Sequence, residues 1–283
     1  MEVFLDCLPC ILRQVLEAAR LATDRTEVHE EIMQEATKLL TRYRKYPNSP
    51  ALTGAMHQIV KEFTGVFDPY REVKKKNIRD ALQVYPFLRQ FLVEQKDQLY
   101  WAIKIAATGN IIDAAVNNIQ DLRHEVEKEL NKGFAVCDRN QFERELERAE
   151  NLLIIGDNAG ETVFDRLLME HLSNLQITYA VRGEPIINDA VREDVRASKF
   201  DEGINVVSTG SKTPGLILAD CTEEFRTRFY QADLVISKGQ GNFEALMDEK
   251  ERSIYFLLKA KCPMLAAELG VGVNDYVFKG NGR

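Results

Sequence analysis

The chain is predicted to be an α/β protein in two parts, an all-helical N-terminal domain over residues 1–150 and a three-layer α/β/α C-terminal domain over residues 151–283. Two observations carry this reading. The period of the apolar residues changes near Asn151, from helical spacing before it to short apolar runs after it. Those runs then alternate with amphipathic segments, the pattern of a parallel sheet covered by helices.

In the first half, Ile11, Leu12, Val15, Leu16 and Ala19 mark one helix face. Ile32, Ala36, Leu39 and Leu40 mark a second, and Met56, Ile59, Val60 and Phe63 a third, with Pro47 and Pro50 punctuating the boundary between those two. Leu82, Tyr85, Leu88 and Leu92, then Leu99, Ile103 and Ile105, continue the pattern. The segment Asn140 to Glu150 is mostly charged and reads as a surface helix. In the second half the predicted strands are Leu152–Ile155, Ile177–Val181, Ile204–Ser208, Leu234–Ser237, Ile254–Leu258 and, more weakly patterned, Tyr276–Phe278. Helices fit between them at Glu161–His171, Asp189–Ala197, Glu223–Tyr230 and Phe243–Asp248.

The 283 residues are 45% hydrophobic and 29% charged, which excludes global disorder. A formal net charge of −7 argues against a general nucleic-acid partner, and the run Lys74-Lys75-Lys76 reads as a solvated helix face. No apolar stretch approaches the ~18–20 residues that span a bilayer, and the N-terminal segment meets Asp6 too early for a signal peptide, so no membrane partner is expected. Five cysteines, few and odd in number, point to a reducing, cytoplasmic setting. Nothing in the sequence speaks to the oligomeric state.

Open parallel sheets bind ligands at the carboxyl ends of their strands, so the chemistry is sought in the turns that follow. The first predicted strand runs into Gly156-Asp157-Asn158-Ala159-Gly160-Glu161, and the second into Arg182-Gly183-Glu184-Pro185-Ile186-Ile187-Asn188-Asp189. Ser208-Thr209-Gly210-Ser211-Lys212 follows the third and Lys238-Gly239-Gln240-Gly241-Asn242 the fourth. Asp157, Asn158 and Asp189 offer oxygen donors, which suit a hard divalent cation such as Mg²⁺ or Mn²⁺. Lys238 is suited to a phosphate as a point charge, glycine-rich turns let backbone N–H groups approach anions, and Ser208 and Thr209 add hydroxyls. Taken singly, each has a plainer reading. Asp157, Asn158 or Asp189 would serve as an Asx-turn or helix cap, and Lys238 as a surface lysine. The functional case rests on their joint placement.

Several activities lose their signature. G-x-G-x-x-G after the first strand, Walker A, G-x-S-x-G and H-E-x-x-H are all absent, and the histidines at 29, 57, 124 and 171 are scattered. Cys7-Leu8-Pro9-Cys10 reads as a redox pair with lowered thiol pKa, as half of a metal site, or as two small apolar residues at a helix entrance.

The run from Leu153 to Asp165 resembles the hallmark of the DUF89 family, the metal-dependent damage-control phosphatases. Three further segments match in order, Ala107–Asp113, Pro185–Ala190 and Ser237–Glu244, and the early Cys7-x-x-Cys10 resembles the stand-alone prokaryotic branch. The resemblance spans essentially the whole chain. It implies a helical domain set on a Rossmann-like domain, and one divalent ion (Mg²⁺, Mn²⁺, Co²⁺ or Ni²⁺) held by Asp157, Asn158 and Asp189. It further implies that Asn110 reaches the cleft with Asp113 steadying its loop, and that Lys238 and Asn242 contact the phosphate. Ser208, Thr209, Gly210 and Gly241 are assigned to the same cradle, and Glu161, four residues before Asp165 on a helix, to proton transfer or support of the ligands. The implied reaction is hydrolysis of a phosphomonoester on a small, possibly damaged metabolite, such as a sugar phosphate or a phosphopantetheine-type compound. Direct attack by water is preferred to a covalent aspartyl-phosphate on Asp157, because Asn158-Ala159 breaks the D-x-D pattern. A carboxyl methyltransferase using S-adenosylmethionine and a non-catalytic metabolite-binding protein are the alternatives.

Overall fold

A computed structural model describes residues 1–113 and 119–282. Helices α1 (Cys7–Ala22), α2 (Thr26–Leu40) and α3 (Ser49–Thr64) pack around Ile11, Val15, Ile32, Met56 and Val60, a core separate from the rest. Asn48 starts α3 by accepting the Ala51 N–H at 3.0 Å, and Pro50 sits in the first turn, where no N–H is required. Next come α4 (Arg71–Val93), α5 (Gln98–Thr108), a 3₁₀ turn over Gly109–Asp113 and α6 (Ile119–Leu130).

The sheet has seven strands: β1 (Phe134–Cys137), β2 (Asn151–Ile155), β3 (Gln176–Val181), β4 (Asn205–Ser208), β5 (Leu234–Lys238), β6 (Ile254–Lys259) and β7 (Tyr276–Gly280). Their spatial order is β1-β7-β6-β5-β2-β3-β4. All pairings are parallel except β6 with β7. The direction in which strands are added reverses between β2 and β5, a switch point that opens a crevice beyond their carboxyl ends. Residues Leu152 to Ile155 are each at most 1% exposed, so β2 is covered on both faces. Burial of each such side chain is worth roughly 1.5–3 kcal/mol.

Leu152 and Ile154 face a layer containing α4, α5, α6, α7 (Arg139–Leu146) and α8 (Glu161–His171), and α9 (Arg192–Ala197) joins it through Val195. Leu153 and Ile155 face α10 (Glu223–Gln231), α11 (Gln240–Leu246) and α12 (Pro263–Leu269). The three-layer architecture of the second half is therefore present, but much of one layer comes from the first half. Strand β1 also lies before residue 150 and belongs to the sheet. Its four residues hold one β-branched side chain, too short a pattern to register as a strand.

Two surface expectations are corrected. Phe142 on α7 is fully buried edge-on against Tyr255 and Phe278, so this charged helix is anchored by one aromatic. Lys74 is 1% exposed and pairs with Asp68 at 2.8 Å and Asp194 at 2.9 Å, tying α4 to α9; only Lys75 and Lys76 form the solvated face. No helix of the described residues is long and apolar enough to cross a membrane.

His57 on α3 lies in the small helical core beside Tyr70, and burial, aided by the charge of Lys61, pushes its imidazole down to about 4. The unfolded chain binds a proton near pH 6.5 that the folded chain refuses until about pH 4. Stability should therefore fall as pH drops through that window, by about 3 kcal/mol from this group. Chemical denaturation between pH 7 and pH 4 should show that loss in the wild type and its removal in His57→Leu; equal slopes in the two proteins would contradict it.

Candidate active site at the carboxyl end of the sheet

Strand register determines which turns meet. Ile155 stands opposite Ser237 on β5 and opposite Ala180 on β3, so the chain leaves all three strands abreast. Gly239 follows β5 with φ +83°, and a Cβ there would lie 2.0 Å from Oδ2 of Asp157. Glycine is required both by the left-handed backbone and by the carboxylate pressed against it. On the other side, Ala190 N–H donates to the Asp157 carbonyl at 2.8 Å and Ala159 N–H to the Asn188 carbonyl at 2.8 Å. This antiparallel bridge of Asn158 with Asp189 pins the β2 and β3 turns together.

The plainer cap readings fail on this geometry. Gly160, preceding α8, makes no side-chain cap, and the Asn158 amide donates to Oε1 of Glu161 at 3.1 Å. Helix α9 starts at Arg192, later than predicted, and Asp194 accepts the Val191 N–H there. Asp189 instead accepts from Nε of buried Arg182 at 2.6 Å. From the helical layer, the turn after α5 comes so close to α8 that a Cβ on Gly109 would be 3.1 Å from the Glu161 backbone. That approach lets Asn110 donate to Oε1 of Glu161 at 2.6 Å.

Glu161 is thus held by two amides on Oε1 and by Lys238 on Oε2 at 2.7 Å. Lys238 also meets Asp165 at 2.6 Å, and Asp165 accepts from the Tyr179 hydroxyl at 2.6 Å. Burial opposes the charge on Lys238, but Asp165 and Glu161 more than offset it and hold the ammonium protonated. Burial lifts Asp165 to about 6 although Lys238 opposes the shift. Asp157 is raised well above the usual carboxylate range by burial and then by the charges of Glu161 and Asp189. Asp189 is raised by burial against the pull of Arg182.

Four buried carboxylates, Asp157, Glu161, Asp165 and Asp189, share two cations, Lys238 and Arg182, leaving two formal negative charges uncompensated. Asp157, Asn158, Glu161 and Asp189 open into a cavity of about 630 Å³ whose far wall comes from α1 and the start of α3 and whose rim includes the β6–α12 turn. The uncompensated charge and the oxygen-rich donors Asp157, Asn158 and Asp189 fit a hard divalent cation. Among the described residues no three His, Cys, Asp or Glu side chains converge as a metal cluster, so Asn158 would be the third protein donor.

Residues 3–277 match the family model described as the damage-control phosphatase ARMT1-like domain. The chain belongs to this family. It is 37% identical over 276 residues to a damage-control phosphatase of Pyrococcus horikoshii, covering 96% of this chain and 95% of that protein. A damage-control phosphatase of Archaeoglobus fulgidus is 32% identical over 281 residues, covering 96% and 97%. The crystal structure of a DUF89 family protein from Pyrococcus horikoshii superposes with a TM-score of 0.90 at 35% identity, covering 99% of both chains. The expectation of this phosphatase family, drawn from four short motifs, is met, and the mixed α/β fold agrees.

Within this damage-control phosphatase fold, Asp157, Asn158, Asp189, Glu161, Asn110 and Gly241 all line one cavity. Other candidates do not. Ser208 ends β4 and Thr209 and Gly210 follow it, on an edge strand two places from β2, which sets them roughly 10 Å off along the sheet. There the Ser208 hydroxyl accepts from Gly210 N–H and the Thr209 hydroxyl from Ser211 N–H. Asn242 donates to the carbonyls of Gly156 and Lys238 and accepts from Leu216 N–H, so its amide ties strand ends together and does not face the cavity. Lys238 lies beneath the cavity, held by Glu161 and Asp165. The side chain of Asp113 lies outside the described residues.

Sequence reasoning missed the turn after β6, where Lys261 and Cys262 reach the rim; reading a fifth strand end by the same rule would have found it. Cys7 and Cys10 line the cavity from α1, all five cysteines are free, and burial raises the Cys7 thiol instead of lowering it. No sequence signal indicated that α1 would reach this cavity.

Two substitutions test the geometry. Gly239→Ala should displace Asp157 and lower kcat/KM by roughly 100-fold in steady-state assays, and wild-type kinetics would refute the close approach. Lys238→Met leaves Glu161 and Asp165 buried without their cation, and should cost about 3–5 kcal/mol in chemical denaturation. Adding Glu161→Gln and Asp165→Asn should recover most of that loss; no recovery would mean the charges are not what the lysine balances.

Proposed function

We propose that the protein hydrolyses phosphomonoesters of small metabolites at this cavity, with one divalent cation held by Asp157, Asn158 and Asp189. The observation that supports it most is the excess of buried carboxylate at the sheet's switch point, facing a cavity of about 630 Å³. A phosphoester adds more negative charge there, so the site needs a cation before such a substrate can enter. When bound, a divalent ion would neutralise charge on the phosphoryl oxygens and acidify water beside it.

The chain's own groups provide the rest. Arg182 fixes the orientation of Asp189, and Gly239 fixes that of Asp157. Glu161, held by Asn110, Asn158 and Lys238, keeps a set direction at the cavity wall, from which it can orient a water and take its proton. Direct attack by this water is favoured over attack by Asp157, which is followed by Asn158-Ala159 and so lacks the D-x-D pattern of carboxylate nucleophiles at such strand ends. The substrate's organic portion would lie toward α1 and α3, against Ile11, Pro50 and Thr53.

Phosphate release from an aryl phosphate and a sugar-phosphate panel tests this reading, comparing metal-stripped protein with protein given Mg²⁺, Mn²⁺, Co²⁺ or Ni²⁺. Release should require metal, and Asp157→Ala and Asp189→Ala should each lower kcat/KM by roughly 100-fold or more with the fold retained. Equal release by stripped protein, or by either variant, would remove the metal assignment. Release from none of the phosphoesters would count against the hydrolase.

A further inference from the structure

Tyr179 reaches the carboxylate cluster from beneath the cavity. It stands on β3 opposite Ile154, is fully buried, and its hydroxyl donates to Oδ2 of Asp165 at 2.6 Å. The turn after β2 makes room for it: a Cβ on Gly156 would lie 2.7 Å from that hydroxyl, so a side chain there would displace the ring. Phe200 closes the other side edge-on, with ring centroids 4.9 Å apart. Burial and the charge of Asp165 push the phenol well above its ordinary range, so it keeps its proton and serves Asp165 as a donor.

Asp165 is the midpoint of a chain. Its Oδ1 pairs with Lys238 at 2.6 Å, and Lys238 meets Oε2 of Glu161 at 2.7 Å. The groups that act most strongly on Asp165 are Lys238 from β5, Glu161 one turn earlier on α8, and Tyr179 from β3. Of the helices packed on α8, α5 turns Lys104 to the rings of Phe134 and Tyr276, and α4 sends Tyr85 and Arg89 to Glu170, beyond Asp165. Lys238 is therefore divided between two carboxylates only while Asp165 is ionised. Burial lifts Asp165 to about 6, with Lys238 and then Tyr179 pulling it down.

We infer that Tyr179 is a positioning residue for hydrolysis at this cavity: its hydroxyl keeps Asp165 charged, so that Lys238 stays shared and Glu161 keeps its direction and its capacity to take a proton from water. The inference rests on the hydrolase reading. With Asp165 protonated, Lys238 would belong to Glu161 alone, and a carboxylate that holds a cation to itself is a weaker base. Tyr179 lies outside the cavity lining and acts only through Asp165.

Tyr179→Phe keeps the ring and removes the donor. In Mg²⁺-loaded protein with an aryl phosphate, kcat/KM should fall about tenfold at pH 7, through kcat, with KM within about twofold of wild type. The sign follows from the lost bond: without the donor Asp165 binds its proton at higher pH, so the acid limb of the profile moves up by about one pH unit. Raising the pH to 9 ionises Asp165 again and should recover most of the wild-type rate, which a packing defect would not do. Asp165→Asn, which fixes the uncharged state, should be slow at both pH values, and adding Tyr179→Phe to it should cost little more. Infrared difference titration of metal-free protein reads the same ionisation without turnover. A buried carboxyl band titrating at about pH 6, missing in Asp165→Asn, should move to higher pH in Tyr179→Phe. Wild-type kinetics in Tyr179→Phe at pH 7, an equal deficit at pH 7 and pH 9, or an unmoved band would each overturn the proposal. A wild type that hydrolyses no phosphoester, with the band moved as stated, would overturn the hydrolase reading and leave the hold of Tyr179 on Asp165 standing.

Discussion

Asp157, Glu161, Asp165 and Asp189 are buried around the ends of β2, β3 and α8 with half the positive charge needed to balance them. Burying like charges together is costly, and a fold keeps such an arrangement only if the surrounding structure holds it rigidly. Much of the architecture near the switch point does this. The pairing of β2 with β5 sets Gly239 against Asp157, the bridge of Asn158 with Asp189 locks the β3 turn, and Lys238 ties Glu161 to Asp165 on the next turn of α8. The raised pKa values of Asp157 and Asp189 express the same imbalance.

The two parts of the chain cooperate through this cluster. Helices α4 to α7 pack directly on the sheet and share its core, so the turn after α5 is placed by the same hydrophobic layer that positions α8. Asn110 reaches Glu161 because of that packing. The bundle of α1 to α3 has its own core and contributes the far wall of the cavity. Chemistry at the sheet edge and the shape of the substrate space thus come from differently packed regions, which allows the wall to vary without disturbing the carboxylates.

The change of period at Asn151 located six strands of the sheet closely, because most of them are buried and read as continuous apolar runs. It missed β1, whose alternation of half-buried and exposed residues spans four positions. Lys74 and Phe142 were misplaced for a related reason: a residue in a charged segment reads as exposed unless its partners are known, and Asp194 lies 120 residues from Lys74 while the aromatic partners of Phe142 lie over 110 away.

The oxygen donors Asp157, Asn158 and Asp189 were legible by themselves, since the turns at the carboxyl ends of parallel strands are short and their chemistry is local. The sequence also sufficed for the family, through four motifs in order along one chain. Tertiary structure alone decided which turns share the cavity. Strand order is not written in strand sequence, and it places the hydroxyl-rich turn of β4 at an edge while bringing the β6 turn with Lys261 to the rim. It also decided which charges are committed: Lys238 and Lys261 are the same residue type at adjacent strand ends, and only packing separates a buried ammonium with two carboxylates from a solvated one with none. Long-range pairing, unlike periodicity, depends on residues far apart in the chain, and that is the information a local pattern does not contain.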